Sequence, residues 1–168
     1  MDSMRKSYLL DTSVFIQASR NYYALDIVPS FWEAIIYHAE QENILSIDRV
    51  KDEIFKGEDP LKTWINAEFS TWFKNTNDEE VLNIYQKLMR WSYSQSQYND
   101  SAKSEFASID NADAWVISYA LAKNCIVSTQ ETVKKDAKAK IPIPNVCQAF
   151  NVPFVSTYDM MRYLGIRL

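Results

Sequence analysis

Residues 8–16 read "YLLDTSVFI". Three apolar residues run straight into a carboxylate, Asp11, and two hydroxyl residues, Thr12 and Ser13, follow before apolar character resumes. A short, unbroken apolar run ended by a polar break has the length and pattern of a strand buried on both faces. A charge at the carboxyl end of such a strand is either a solvent-facing turn residue or one member of a cluster. The rest of the chain has to decide which.

Working outward, three more short apolar runs have strand character: "ILSI" (44–47), "CIVS" (125–128) and "PFVS" (153–156). Helical patterns separate them. In "PSFWEAIIYHAEQEN" (29–43), Ser30 with Glu33 three residues on predicts a capping box. In "DRVKDEIFKG" (48–57), Asp48 is a candidate N-cap and Gly57 a stop. Asp59-Pro60 opens "LKTWINAEFSTWF" (61–73), where Leu61, Trp64, Ile65 and Trp72 follow helical spacing, and Asn77 opens a helix carrying Val81, Ile84, Tyr85 and Leu88. These two read as an inserted helical pair over about residues 60–95. A polar stretch, "SYSQSQYNDSAKSEFAS" (92–108), leads to "DNADAWVISYALA" (110–122), a helix expected to be capped by Asp110; a last helix, "YDMMRYL", is stopped by Gly165. Strands alternating with helices predict an α/β fold with a central parallel sheet covered on both faces. At 168 residues the expectation is a single domain, 1–168.

With 47% apolar and 14% aromatic residues, the chain can bury a core of normal size. No apolar run approaches the ~20 residues of a membrane span, and the first ten residues have too short an apolar core for a signal peptide, so a cytoplasmic protein is expected. Cys125 and Cys147, far apart in apolar surroundings, read as buried thiols. A formal charge of −4 argues against gripping nucleic acid by bulk electrostatics, so any polyanion must be met locally. "TVKKDAKAK" (132–140) sets Lys134, Lys135, Lys138 and Lys140 against Asp136 and supplies candidate substrate-binding residues in Lys134, Lys135 and Lys138. A solvated charged loop is the commoner reading of such a run. A single histidine, His38, excludes a mechanism built on paired histidines and serves zinc chemistry poorly. The large aromatics Trp91 and Tyr93, beside the helical pair, suggest a surface for a homodimer or another protein.

In parallel sheets, ligand sites gather beyond the carboxyl ends of the strands. Asp11 stands there after the first strand, and Glu131 lies just past "CIVS". Asp113 shares a helical face with Val116, Ile117, Ala120 and Leu121, and Glu53 shares one with Val50 and Ile54. An inward-facing carboxylate without a partner costs several kcal/mol or takes up a proton. Each acid alone has an ordinary explanation: a strand-end Asp, a helix-start Asp favoured by the dipole, a Glu swung out to water, a loop acid, and for Ser13 a turn cap. Four acids placed at one sheet edge by independent patterns point instead to a shared cation, and all-oxygen ligands suit hard ions such as Mg²⁺ or Mn²⁺.

"YLLDTSVFI", an acid in "DRVKDEIFKG", then "ADAWVISYALA" and a strand ending "VSTQE", in that order, resemble the PIN-domain family of metal-dependent ribonucleases. "IPIPNVC" followed by "VPFVS" and "YDMMRYLG" resembles, more narrowly, a PIN-like group of bacterial and archaeal proteins. The resemblance implies a three-layer α/β/α fold and hydrolysis of RNA to 5′-phosphate and 3′-hydroxyl ends. It implies acidic catalytic and metal-ligand positions at Asp11, Glu53 and Asp113, with Ser13 supporting the first. In the family the fourth strand ends in Thr, any residue and Asp; here Thr129 and Glu131 match best, with Gln130 as the alternative fourth residue. It also implies RNA as substrate and, since small PIN proteins resemble toxins of toxin–antitoxin pairs, an antitoxin partner. Two other classes stay open. "LLDTS" is also similar to the nucleophile motif of haloacid-type phosphatases, although Ser13 stands where that family has a second Asp, and a non-catalytic PIN-like binding module would keep the acids for stability or contact.

Overall fold

The computed structural model describes residues 5–57 and 60–168. Five strands, β1 (Tyr8–Leu10), β2 (Ile44–Ile47), β3 (Phe73–Lys74), β4 (Ile126–Ser128) and β5 (Phe154–Val155), form one sheet in the order β3-β2-β1-β4-β5. Every pairing is parallel, with Leu9 in register with Leu45 on one side and Val127 on the other. Leu9, Leu10, Ile44, Ile47 and Val127 are almost completely buried. That is why these strands read as continuous apolar runs: a parallel strand covered on both faces has no polar side to alternate with. Helices cover both faces, and the fold is a three-layer α/β/α sandwich.

The chain lays β1, β2 and β3 outward in one direction, then returns to place β4 on the other side of β1. The strand order therefore reverses between β1 and β4, the crevice where sheets of this kind bind ligands. Helix α1 (Thr12–Gln17) leaves β1 there and continues into a π-helical turn, Ala18–Tyr22. Helices α2 (Pro29–Glu40) and α3 (Asp48–Phe55) flank β2. The later helices are α4 (Pro60–Trp64), α5 (Glu79–Ser94), α6 (Asp100–Phe106), α7 (Asp113–Lys123), α8 (Ile143–Phe150) and α9 (Thr157–Leu164). Gly165, at φ +71°, ends α9 in the left-handed conformation that glycine adopts without strain.

Several local expectations are corrected. Residues 61–73 are not one helix: α4 widens into a π-helical turn (Ile65–Phe69), tightens at Ser70–Trp72, and delivers edge strand β3 beside β2. Aromatic packing decides this. Buried Phe69 meets Phe15 edge-on at 5.4 Å and Phe73 at 5.1 Å between centroids, with Trp64 and Trp72 within 6.0 Å, so tertiary contacts override the helical period. The inserted segment thus contributes a strand as well as helices. Asp59, expected to open it, lies outside the described residues.

Helix α2 starts at Pro29, whose fixed φ suits the first helical position, so Ser30 sits inside the helix and caps nothing. Asp48 is the first residue of α3, and its carboxylate accepts hydrogen bonds from the Arg49 N–H and from both the N–H and hydroxyl of Thr76, tying α3 to the segment after β3. Asp78, not Asn77, caps α5. The polar stretch holds α6, capped by Asn99 and anchored by buried Ala102 and Phe106. Trp91 is half-buried and packs on Phe150 and Tyr98, while Tyr93 is exposed. Both cysteines are buried free thiols. Among the described residues, no helix is long and apolar enough to cross a membrane.

Candidate functional site

Asp11 is the residue after β1, and Thr129 the residue after the adjacent β4; the Asp11 N–H donates to the Ser128 carbonyl at 3.0 Å, locking the two strand ends together. Only 2% of Asp11 is exposed. Its Oδ2 accepts from the Ser13 hydroxyl at 2.7 Å and the Thr129 hydroxyl at 3.0 Å. Each hydroxyl is itself an acceptor for the next turn: Ser13 Oγ for the Gln130 N–H at 3.1 Å and Thr129 Oγ1 for the Glu131 N–H at 3.1 Å. The paired hydroxyls therefore orient Asp11 and fix the loop that carries Gln130 and Glu131.

Asp113 opens α7, part-buried, with its N–H held by Asn111 Oδ1 at 2.9 Å. Asp110, expected to cap this helix, is instead exposed and pairs with Lys56 at 3.1 Å. The start of α7 is held by Glu53, whose Oε1 accepts from the Ala112 N–H at 2.6 Å. The middle of α7, Ala114 to Ala120, is buried all round, and Leu121 is partly exposed. Position on an apolar stripe therefore did not aim Asp113 inward; its place at the first turn did.

The electrostatics link the four acids. Burial pushes the Asp11 carboxyl up to about 6, against the lowering effect of its Ser13 and Thr129 hydrogen bonds, and the charges of Glu131 and Glu53 push the same way as burial. Asp113 is raised well above the usual carboxylate range by burial first, then by Asp11, Glu131 and Glu53, with Lys140 opposing. The Cys147 thiol is pushed up to about 12 by burial and by the charges of Asp11 and Glu131, which places it near the cluster as a protonated thiol.

Glu53 and Glu131 differ from the two aspartates in that each carboxylate holds a backbone N–H at a helix start. Glu131 Oε2 accepts from the Ile143 N–H at 2.8 Å, at the start of α8, and its Oε1 pairs with Lys140 Nζ at 2.6 Å. Among the described residues, no group of three or more His, Cys, Asp or Glu side chains could hold a metal ion as they stand. The donor set nonetheless suits a hard cation: Asp11 and Asp113 are desolvated carboxyls raised by neighbouring acids, and Mg²⁺ is commonly held by one or two carboxylates while keeping several waters. Asp11 and Asp113 would be the primary ligands; Glu53 could offer Oε2 while Oε1 holds the Ala112 N–H, whereas both oxygens of Glu131 are engaged.

Of the lysines expected to bind substrate, Lys134 lines a cavity of about 200 Å³ beside Glu131. Lys135 and Lys138 enter the structure through their carbonyls, which accept from Gln97 and from the Asn99 N–H. Sequence reasoning did not single out Lys140, Asn111 or Asn145; Lys140 is one of four lysines in a run, and nothing local distinguishes it. His38 lies apart, bonded to Asn43 and held below its usual range by burial and by Arg5.

A chain in the structure of FitAB bound to an IR36 DNA fragment is similar to this one with a TM-score of 0.52 and 13% identity, covering 89% of this chain and 94% of that chain. A chain of VapBC-1 from nontypeable Haemophilus influenzae is 17% identical, with a TM-score of 0.49, over 89% and 96% of the two chains. The first likeness shows the fold, a three-layer α/β/α sandwich of the PIN-like type. No curated protein matches the chain. The model of the family described as a domain of unknown function, DUF4411, matches residues 8–168, from the start of β1 through α9 and beyond, and the chain belongs to that family.

Proposed function

We propose that this protein is a metal-dependent endoribonuclease, hydrolysing RNA phosphodiester bonds at the crevice between β1 and β4, and that it is the toxin of a toxin–antitoxin pair. The observation that carries the reading is the nearness of Asp11 and Asp113 at the sheet's topological switch point: both carboxyls are raised by burial and by the charges of Glu131 and Glu53, Asp113 is raised by Asp11 as well, and the side-chain partners of Asp11 among the described residues are two hydroxyls. Carboxylates so placed normally acquire a cation partner. A bound Mg²⁺ or Mn²⁺ would supply water activation and neutralise charge on the leaving oxygen. The chain's own part is to hold Asp11 rigidly through Ser13 and Thr129, to place Asp113 by pinning the start of α7 with Glu53, and to offer lysine charge beside the acids. The resemblance of the acid motifs to PIN-domain ribonucleases and toxins is what points to an RNA substrate and an antitoxin partner; the likeness to FitAB, a complex solved on DNA, supports the fold.

Cleavage of a labelled structured RNA in Mn²⁺, parent against Asp113→Asn, tests the reading; equal rates would overturn it. One observation favours a second reading, a non-catalytic PIN-like binding module. Glu53 and Glu131 are both occupied as anchors of helix starts, a role that serves stability alone. Absence of Mn²⁺ binding by calorimetry, with the fold intact, would select it.

A further inference from the structure

The loop Thr132–Lys140 has no regular secondary structure, yet it is bound down along its length. The Asn145 side chain accepts from the Lys134 N–H at 2.9 Å and donates to the Lys134 carbonyl at 2.8 Å. Gln97 Nε2 donates to the carbonyls of Lys135 at 2.7 Å and Ala137 at 2.8 Å, and the Asn99 N–H donates to the Lys138 carbonyl at 2.9 Å. A lysine run that served only to solvate the surface would have no need of such tethers, since fixing a loop costs conformational entropy at every residue. The tethers hold Lys134, and the ion pair with Glu131 holds Lys140, at a cavity of about 200 Å³ whose other walls include Gln130, Glu131 and Thr132. That volume would hold about six waters.

Lys140 joins this cavity to the acid cluster. Its ammonium pairs with Glu131, its charge is felt at Asp113, and it lies beside Asp113, Asn111 and Glu105. An ammonium has three N–H donors, and half of the Lys140 side chain remains exposed beyond its pair with Glu131. In a chain of net charge −4, an acid cluster repels a polyanion unless cations stand next to it.

We infer that Lys134 and Lys140 form a phosphate subsite beside the acid cluster, taking a backbone phosphodiester of a nucleic-acid strand adjacent to the one being cut. The inference rests on the nuclease reading. Lys140 keeps its bond to Glu131 and directs its remaining donors to a phosphate oxygen, while Lys134 closes the opposite wall. Gln130 and Thr132 supply neutral donors.

The test is fluorescence anisotropy of a labelled single-stranded RNA titrated in EDTA, where no strand is cut, over a series of salt concentrations. Lys140→Gln and Lys134→Ala are each expected to weaken binding about tenfold and to lower the slope of log affinity against log salt by about 0.7. Lys140→Arg should stay near the parent. Melting curves accompany each variant, and Lys134→Ala leaves the Lys140–Glu131 pair intact, so it tests the subsite even where Lys140→Gln fails to fold. Parental affinity and slope in folded Lys134→Ala and Lys140→Gln, with RNA still cleaved by the parent, would overturn the subsite and leave the nuclease reading standing. A parent that binds inorganic phosphate but no RNA would overturn the assignment to a strand, and a parent that neither binds nor cuts RNA would overturn both.

Discussion

The Glu53 carboxylate accepts a hydrogen bond from the Ala112 N–H across 2.6 Å, so an acid on α3 holds the start of α7, the helix that carries Asp113. Glu53 therefore has a structural role whether or not it also meets a metal. The two roles separate by substitution. Glu53→Gln keeps an oxygen for the Ala112 N–H and should leave stability nearly unchanged, whereas Glu53→Ala strands a buried donor and should cost about 1–2 kcal/mol in urea unfolding. If both variants unfold at the parental midpoint, the bond to Ala112 contributes nothing. If Glu53→Gln lowers Mn²⁺ affinity while stability holds, the carboxylate is also a ligand.

Neutralising the acid at the start of α7 should divide activity from stability. Asp113→Asn preserves shape but removes a negative charge from a buried, mutually repelling set. RNA cleavage in Mn²⁺ should fall at least 100-fold, on the order of the loss seen when one transition-state-stabilising group is removed. The melting temperature of the metal-free protein should hold or rise. Asp11→Asn should behave in the same way in cleavage. Glu131→Gln should be milder, because its oxygens face Lys140 and the Ile143 N–H. A destabilised Asp113→Asn would mark Asp113 as a structural residue.

The metal-free protein should become less stable as pH rises through the acidic range. In the unfolded chain Asp11 loses its proton near 4, but in the folded protein it keeps it until about 6. Between those values the folded state binds more protons, so unfolding free energy falls with rising pH, by roughly 3 kcal/mol in full from this residue. Asp113, also raised, adds to the same slope. Urea midpoints at pH 4.5 and 7 in EDTA check the sign, and a higher midpoint at pH 7 contradicts it.

Millimolar Mn²⁺ should reverse that loss. An ion bound only by the folded state at ~100 times its dissociation constant adds about 2.7 kcal/mol, and it must displace protons from Asp11 and Asp113 to bind. Calorimetry at pH 6 in two buffers of different ionisation enthalpy should show net proton release. Identical melting curves in EDTA and Mn²⁺ would count against a metal site.

Phe69→Ala should cost about 3–5 kcal/mol, in the range for emptying a fully buried aromatic position. Phe69 touches Phe15, Trp64, Trp72 and Phe73, so its loss also loosens edge strand β3. Hydrogen exchange at Lys74 and at the facing residues of β2 should accelerate first. A loss below 1 kcal/mol would mean that the aromatic cluster does not hold the strand.

By itself the sequence determined the parallel sheet, because strands buried on both faces must be written as apolar runs, and "YLL", "ILSI" and "CIVS" are such runs, each closed by a polar residue. It also determined which acids stand at strand ends, since Asp11 and Glu131 follow strands on local pattern alone, whereas the helix expected from Asp110 starts only at Asp113. Only the tertiary structure decided that residues 61–73 break into turns and a strand, because aromatic contacts between Phe15, Phe69 and Phe73 join segments more than fifty residues apart. It also decided that Glu53 and Glu131 each turn one oxygen to a backbone N–H at the start of α7 or α8, and that Lys140, rather than another lysine of the run, faces the acids. Those partnerships depend on which elements are neighbours across the sheet, and no spacing along the chain encodes that.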